Sequence, residues 1–334
     1  MIKINNREIG GDNPAYIIAE MGINHNGSLG LAMKMIEGAS RSRVDAVKVQ
    51  IISADESYTR KSKSYSIFKR VELKIEEWRM LVNRARELGI DIFSTFVNTF
   101  DLEYAKELDL SAIKISSANI TNFPLLEAVA ALKKPVLMST GMSYLSEVDE
   151  AVRFLNSHDA RQIALLQCTS LYPTQADDVN LRVMETLSRV FPSCPVGFSD
   201  HTMGINCALA AVAMEAKIIE KHFTLDRNME GPDHHFSATP QELKDLVRGV
   251  REVEHSLGRG VKAPAEGEVL LREKLQRSIV AAEDIKVGSV LTPENLAVKR
   301  ALNGGLPIKY LDKIIGRCVV RDIAKDEPIT WGSI

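Results

Sequence analysis

An α/β chain, with a TIM (β/α)8 barrel followed by a small β-rich domain, is predicted by three features of the sequence. Apolar, β-rich runs alternate with helix-period segments; nearly every run ends on polar residues; and the alternation stops at Gly258. The runs are "AYIIAEMG" (15–22), "AVKVQIIS" (46–53), "DIFSTF" (91–96), "AIKISSAN" (112–119), "PVLMSTGM" (135–142), "IALLQCTS" (163–170), "PVGFSDHT" (195–202) and "KIIEKHFT" (217–224). Eight such runs suit a closed barrel better than a doubly wound sheet. Between them lie "LGLAMKMIEGASRS", "IEEWRMLVNRARELG", "YLSEVDEAVRFLNS" and "INCALAAVAMEA", each with apolar residues at helical spacing. The last helical segment, "TPQELKDLVRGVREVEHSLG", opens on Thr239-Pro240, a helix-start signal.

The barrel is assigned to residues 1–260, behind a short polar opening. A linker with a short helix follows at 261–276, and a small domain at 277–334, where short strands are punctuated by Gly and Pro. A core of that size is marginal alone, so packing against a barrel is expected.

Composition narrows the function. The chain is 45% apolar and 26% charged with a formal net charge of -2, so nothing electrostatic points to nucleic acid or an anionic membrane. Cys168, Cys194, Cys207 and Cys318 form no CxxC pair, which argues against a zinc knuckle or a thioredoxin-like motif and fits reduced thiols. "MIKINNREIGGDNP" has no apolar signal region, and no apolar stretch reaches the roughly 18 residues of a membrane span, so a cytoplasmic protein is expected.

In a TIM barrel the active site lies at the C-terminal strand ends. Here they offer Glu20 with Asn24 and His25, Lys48 with Gln50, Ser94 with Thr95, and Lys114 with Ser116 and Ser117. The second half adds Ser139 with Thr140, Gln167 with Thr169, Ser199 to His201, and Glu220 to His222. Any one Ser or Thr there reads as a turn or helix cap; eight polar ends converging on one mouth suggest a site. Lys48 and Lys114 sit inside apolar runs, and a buried ammonium needs an anion. Three partners are open: a carboxylate such as Glu20, a small phosphorylated acid held by lysines and hydroxyls, or a carbonyl forming a Schiff base.

His201 and His222 end runs seven and eight, neighbours in a barrel. They read either as packed core histidines or as half of a metal site for manganese or zinc, completed by water and substrate oxygen. His25 reads as a loop cap or a residue near substrate. His234 and His235 are adjacent, so their side chains are expected to point apart and line a loop rather than share an ion.

In order and spacing, "IAEMGINHNGSL", "VKVQ", "FSTF", "KISSANITNFPLL", "MSTGM", "CTSLYPT", "GFSDHT", "EKHFT" and "GPDHHFS" resemble the N-acetylneuraminate (sialic acid) synthase family, which includes the legionaminate and pseudaminate synthases. The stretch "RSIVAAEDIKVGSVLTPENLAVKR" resembles that family's antifreeze-like (SAF) domain. The resemblance implies a metal-dependent condensation of phosphoenolpyruvate with the aldehyde of an N-acylated amino sugar of the N-acetylmannosamine type, giving a nine-carbon 2-keto acid and phosphate. By motif it carries the metal, usually Mn2+, to His201 and His222. Lys48, Gln50, Thr95, Lys114, Ser117, Ser139 and Ser199 fall around phosphoenolpyruvate. Glu20 falls on a carboxylate near metal and substrate, and Asn119, Ser170, Tyr172 and Asp233 fall on the sugar side. Arg300 matches an arginine that one subunit extends over its partner's barrel in a swapped homodimer.

Two departures stand out. Asn119 occupies a position that is usually acidic, and "KRALNGG" replaces the usual "KRPG" after the arginine. The acceptor is therefore open between N-acetylmannosamine and the 2,4-diacetamido-trideoxyhexoses of the legionaminate and pseudaminate branches. Readings of other classes are a Schiff-base aldolase using Lys48 or Lys114, and a carbohydrate-binding protein built around the C-terminal domain.

Overall fold

The computed structural model describes residues 1–301 and 304–334; Leu302 and Asn303, part of the segment after Arg300, lie outside the described residues. The chain divides into two compact units, Met1–Gly258 and Arg259–Ile334. No helix among the described residues is long and apolar enough to cross a membrane.

The first unit is a closed parallel barrel. Numbering its strands along the chain, they are β1 (Tyr16–Gly22), β2 (Ala46–Gln50), β3 (Asp91–Phe96), β4 (Ile113–Ile115), β5 (Val136–Ser139), β6 (Ile163–Cys168), β7 (Val196–Asp200) and β8 (Ile218–His222). Each pairs with the next, and β8 pairs with β1. Both faces of the strands are buried, which explains why they read as continuous apolar runs rather than alternating ones. Their outward residues join the helices in one large core that includes Ile17, Val47, Ile113, Val136, Leu165 and Ile219.

The inward residues form two zones. Tyr16, Ile18, Phe93, Leu137, Leu166 and Ile218 form a separate apolar cluster with Ile2, Ile4 and Ile9. The last three come from an antiparallel hairpin, Ile2–Ile4 with Arg7–Ile9. The stretch read as a polar opening is thus a hairpin that buries three isoleucines. Two residues further along the same faces, the inward positions become polar: Glu20, Lys48, Thr95, Lys114, Ser139, Glu220.

The five helical segments named above form helices at Leu29–Arg41, Ile75–Glu87, Leu145–Ser157, Asn206–Ala213 and Pro240–Leu257. At the last, Thr239 Oγ1 accepts from Glu242 N at 3.3 Å while Glu242 Oε2 accepts from Thr239 N at 2.9 Å, a reciprocal cap.

In the second unit, the segment read as a linker contains a helix, Glu266–Leu275. Strands Ser278–Ala281 and Leu296–Lys299 pair antiparallel over a small core of Ile279, Ile285, Leu291, Ile314, Val319, Ile323 and Ile329.

Candidate active site

Register brings the site together. Glu20 on β1 lies beside Lys48 on β2 and His222 on β8, Gln50 on β2 beside Thr95 on β3, Thr95 beside Lys114 on β4, and Ser199 on β7 beside Glu220 on β8. Lys48 Nζ is 3.1 Å from Glu20 Oε2 and 3.5 Å from Glu220 Oε1, and donates to Thr95 Oγ1 at 2.9 Å. Lys114 Nζ is 3.6 Å from Glu220 Oε1 and donates to Ser139 Oγ at 2.6 Å. Glu220 Oε1 also accepts from Ser199 Oγ at 2.9 Å, and Glu20 Oε1 from Gln50 Nε2 at 3.0 Å. All four charged groups are buried.

The charges are unequal in character. Burial raises the Glu20 carboxyl above the usual range, against the pull of Lys48. Burial acts on Glu220 in the same direction, but the Lys114 and Lys48 ammoniums and the Ser199 hydroxyl bring it down to about 2. Burial lowers Lys114, whereas Glu20 and Glu220 together outweigh burial at Lys48 and raise it. Lys48 and Glu220 are therefore held more firmly ionised than Glu20 and Lys114.

Glu220 is the central acceptor, yet from the sequence it reads only as one polar strand end with no assigned role. Its signal was alternation: it shares its face with His222 two residues later. Among the serines and threonines of the strand ends, Ser94, Thr140 and Thr169 donate to backbone carbonyls as turn residues do. Thr95, Ser139 and Ser199 instead bond to the charged cluster. Ser117 Oγ accepts from Gly141 N at 3.0 Å. A Cβ on Gly141 would stand 2.6 Å from Ser170 Oγ and 2.8 Å from Ser117 Oγ, so the two hydroxyls flank a bare backbone.

His201 and His222 lie above this cluster with ring centroids 5.4 Å apart. His201 Nδ1 is 2.8 Å from Thr169 O, and since a carbonyl only accepts, Nδ1 carries a proton; burial lowers the His201 pKa, but Cys168 and the Thr169 carbonyl outweigh it and raise it. Burial, with the positive charge of neighbouring groups, holds His222 well below its usual pKa and so neutral. Its Nδ1 is buried without a hydrogen-bond partner among the described residues, 3.9 Å from Asp233 Oδ2. Two adjacent imidazoles, one with its Nδ1 held by a carbonyl, fit a shared divalent cation, which His201 would meet through Nε2 in its neutral form. No group of three or more His, Cys, Asp or Glu among the described residues could hold a metal, so further ligands would come from water or substrate.

Tyr172 covers the pair, its ring 4.3 Å from that of His201 and 6.1 Å from that of His222, with Phe236 beside both Tyr172 and His222. Gly22, at φ +52°, lets the chain turn where a Cβ would stand 3.2 Å from Glu20 Oε1 and 3.7 Å from Asp233 Oδ2. Asn119 bonds within its own turn, to Ser116 Oγ at 2.9 Å and from Asn122 Nδ2 at 3.0 Å. His25 lies apart: its Nδ1 accepts from Gly27 N at 3.2 Å and its ring meets Trp78 edge-on, a capping role. His234 is buried against Thr224 Oγ1 at 2.7 Å, while His235 is exposed, so the two do point apart. Arg300 is exposed in the second unit.

Comparison with known proteins gives the family. The model of the NeuB family matches residues 35–262 and that of the SAF domain residues 276–334. The chain is 38% identical to the N,N'-diacetyllegionaminic acid synthase of Campylobacter jejuni, over 94% of this chain and 98% of that protein. It is 36% identical to human N-acetylneuraminate-9-phosphate synthase, over 97% and 93%. Among solved structures, the N-acetylneuraminic acid synthetase of Leptospira borgpetersenii, in complex with citrate, superposes with a TM-score of 0.76 at 36% identity, covering 82% of this chain and 96% of that one. With its barrel, its C-terminal SAF domain and its polar mouth, this chain belongs to the NeuB family of sialic, legionaminic and pseudaminic acid synthases.

Proposed function

We propose that the chain condenses phosphoenolpyruvate with the open-chain aldehyde of an N-acylated amino sugar, N-acetylmannosamine or a close analogue, to give a nine-carbon 2-keto acid and phosphate. The observation that carries this is the buried Lys48–Glu220–Lys114 cluster with its hydroxyls, its Glu220 two residues before His222 on the same face of β8. Such a cluster suits a phosphorylated acid: Lys48 and Lys114 as point charges, Thr95, Ser117, Ser139, Ser199 and Gln50 as hydrogen-bonding groups. A divalent cation, Mn2+ on this reading, would be held by His201 and His222 and would supply Lewis-acid polarisation of the sugar aldehyde.

The lysines and hydroxyls orient the enol so that its C3 faces the aldehyde carbon. C3 bonds to that carbon as the carbonyl π pair moves onto the aldehyde oxygen, which takes the proton that water gives up as it adds at C2. Glu20, its carboxyl raised by burial, is suited to carry that proton. The tetrahedral C2 then releases inorganic phosphate and leaves the ketone. Ser170, Tyr172, Asn119 and Asp233 are the residues proposed to face the sugar. Arg300 is proposed to reach the barrel of a partner subunit in a homodimer.

The match to a legionaminic acid synthase also supports a 2,4-diacetamido-trideoxyhexose as acceptor. A panel of N-acetylmannosamine, its 6-phosphate and the 2,4-diacetamido sugars, scored by phosphate release and product mass, separates these. Activity lost to EDTA and restored by Mn2+ is expected; full activity in the metal-free enzyme would overturn the metal assignment. A lysine adduct trapped by borohydride with substrate would favour a Schiff-base aldolase instead.

A further inference from the structure

We propose that the buried ion pair Asp200–Lys221 is a positioning device for His201 and His222, which clamps the two histidine-bearing strand ends to one another. The inference rests on the reading of those histidines as metal ligands.

Asp200 and Lys221 are register partners on β7 and β8, each one residue before a histidine. Alternation turns them away from the barrel interior, onto the face that carries Phe198, Ile219 and Phe223 in the apolar layer behind the strands. Their side chains are 0% and 1% exposed. Lys221 Nζ donates to Asp200 Oδ2 at 2.8 Å and to Thr202 O at 2.5 Å. Asp200 Oδ1 accepts from Thr202 N at 2.8 Å and from Thr202 Oγ1 at 2.7 Å.

The residues on either side of His201 are thus tied to the residue that precedes His222. A second set of bonds holds the backbone beyond: Thr174 N donates to His201 O at 3.0 Å and Ala238 N to His222 O at 2.7 Å. Stability alone does not explain a charge pair in this layer, because an apolar pair of similar volume there is commonly neutral or stabilising. Fixed spacing between two neighbouring strand ends does, because bonds to oriented charged groups set register and direction where apolar packing leaves both freer.

The test is the double variant Asp200→Asn/Lys221→Met, which keeps an acceptor for Thr202 and the apolar stem of the lysine while deleting both charges. Mn2+ is titrated calorimetrically into metal-free wild type and variant, and the melting temperature of each metal-free protein is recorded. Mn2+ binding weakened by about 10-fold or more, with metal-free melting unchanged or raised, is expected. Should the double variant fail to fold, Thr202→Val deletes one donor to Asp200 and is expected to weaken Mn2+ about threefold. A folded variant of either kind that binds Mn2+ as wild type does, whatever its melting temperature, overturns the positioning role. Wild type that binds no Mn2+ overturns the metal reading itself, a distinct outcome.

Discussion

Replacing Lys48 with methionine separates what this lysine does for the fold from what it does for substrate. The substitution removes an ammonium 3.1 Å from Glu20 and 3.5 Å from Glu220 and leaves the two carboxylates with Lys114 alone. Breaking a buried pair in this way costs about 3–5 kcal/mol. Glu20, already raised, can take a proton, so a loss near the lower end, about 3 kcal/mol, is expected. For binding, an ammonium about 4 Å from a phosphate oxygen at an effective dielectric constant of ~20 contributes about 4 kcal/mol of attraction. The dissociation constant of phosphoenolpyruvate should therefore rise by about two to three orders of magnitude. Adding Glu20→Gln to the same chain removes the surplus carboxylate and should return most of the stability while leaving phosphoenolpyruvate binding weak. Denaturant unfolding and calorimetric titration of wild type, Lys48→Met and the double variant measure both quantities. A folded Lys48→Met protein that binds phosphoenolpyruvate within threefold of wild type would refute the phosphate assignment.

Other expectations follow from single residues. Gly141→Ala places a methyl 3.1 Å from the carbonyl oxygen of Cys168 as well as against Ser117 and Ser170, and should cost about 1–3 kcal/mol in urea unfolding and raise the KM for phosphoenolpyruvate; no change in either would contradict the close approach. Burial lowers His25 from 6.5 to about 4 in the folded chain, so the unfolded chain binds more protons between those values. Its contribution to stability is complete above pH 6.5, declines as pH falls through that window, and amounts to at most about 3 kcal/mol. His25→Gln should therefore flatten the acid side of the stability curve, and an unchanged slope would exclude His25 as its source. Arg300→Ala should raise the KM for sugar more than that for phosphoenolpyruvate. If the arginine acts across a dimer, mixing and reassociating inactive His201→Ala chains with Arg300→Ala chains should recover wild-type KM for sugar in part of the sites; no recovery would place Arg300 in its own subunit's site or outside any.

The strands were legible because burial on both faces writes itself as unbroken apolar runs. Residues 91–96 match run for strand, whereas "AIKISSAN" shortens to Ile113–Ile115 because Ser117–Asn119 turn as a 3-10 helix. Helices with one apolar stripe were legible too. Phe123–Ala131 was not, since "FPLLEAVAA" is apolar nearly all round and shows no stripe. The N-terminal hairpin escaped because three-residue strands are too short for alternation to register. At the site, residue types at strand ends exposed the lysines and histidines. The bonds between them depend on barrel closure, which brings Glu220 to lysines more than a hundred residues earlier. The Asp200–Lys221 pair likewise needed register: in the sequence each looks like an ordinary charged neighbour of a histidine.

The N-terminal hairpin has a kinetic consequence. Three isoleucines and the apolar inward layer fill the barrel beneath the polar zone, so substrate has no path through its base. Lys48, Lys114 and Glu220 lie at mid-strand, while His201, His222 and Tyr172 lie at and beyond the strand ends. Whatever occupies the deeper position must enter before the rim is filled and leave after it empties. On the proposed reaction phosphoenolpyruvate first and phosphate last is the expected order, and product-inhibition patterns should then show phosphate competing with phosphoenolpyruvate alone.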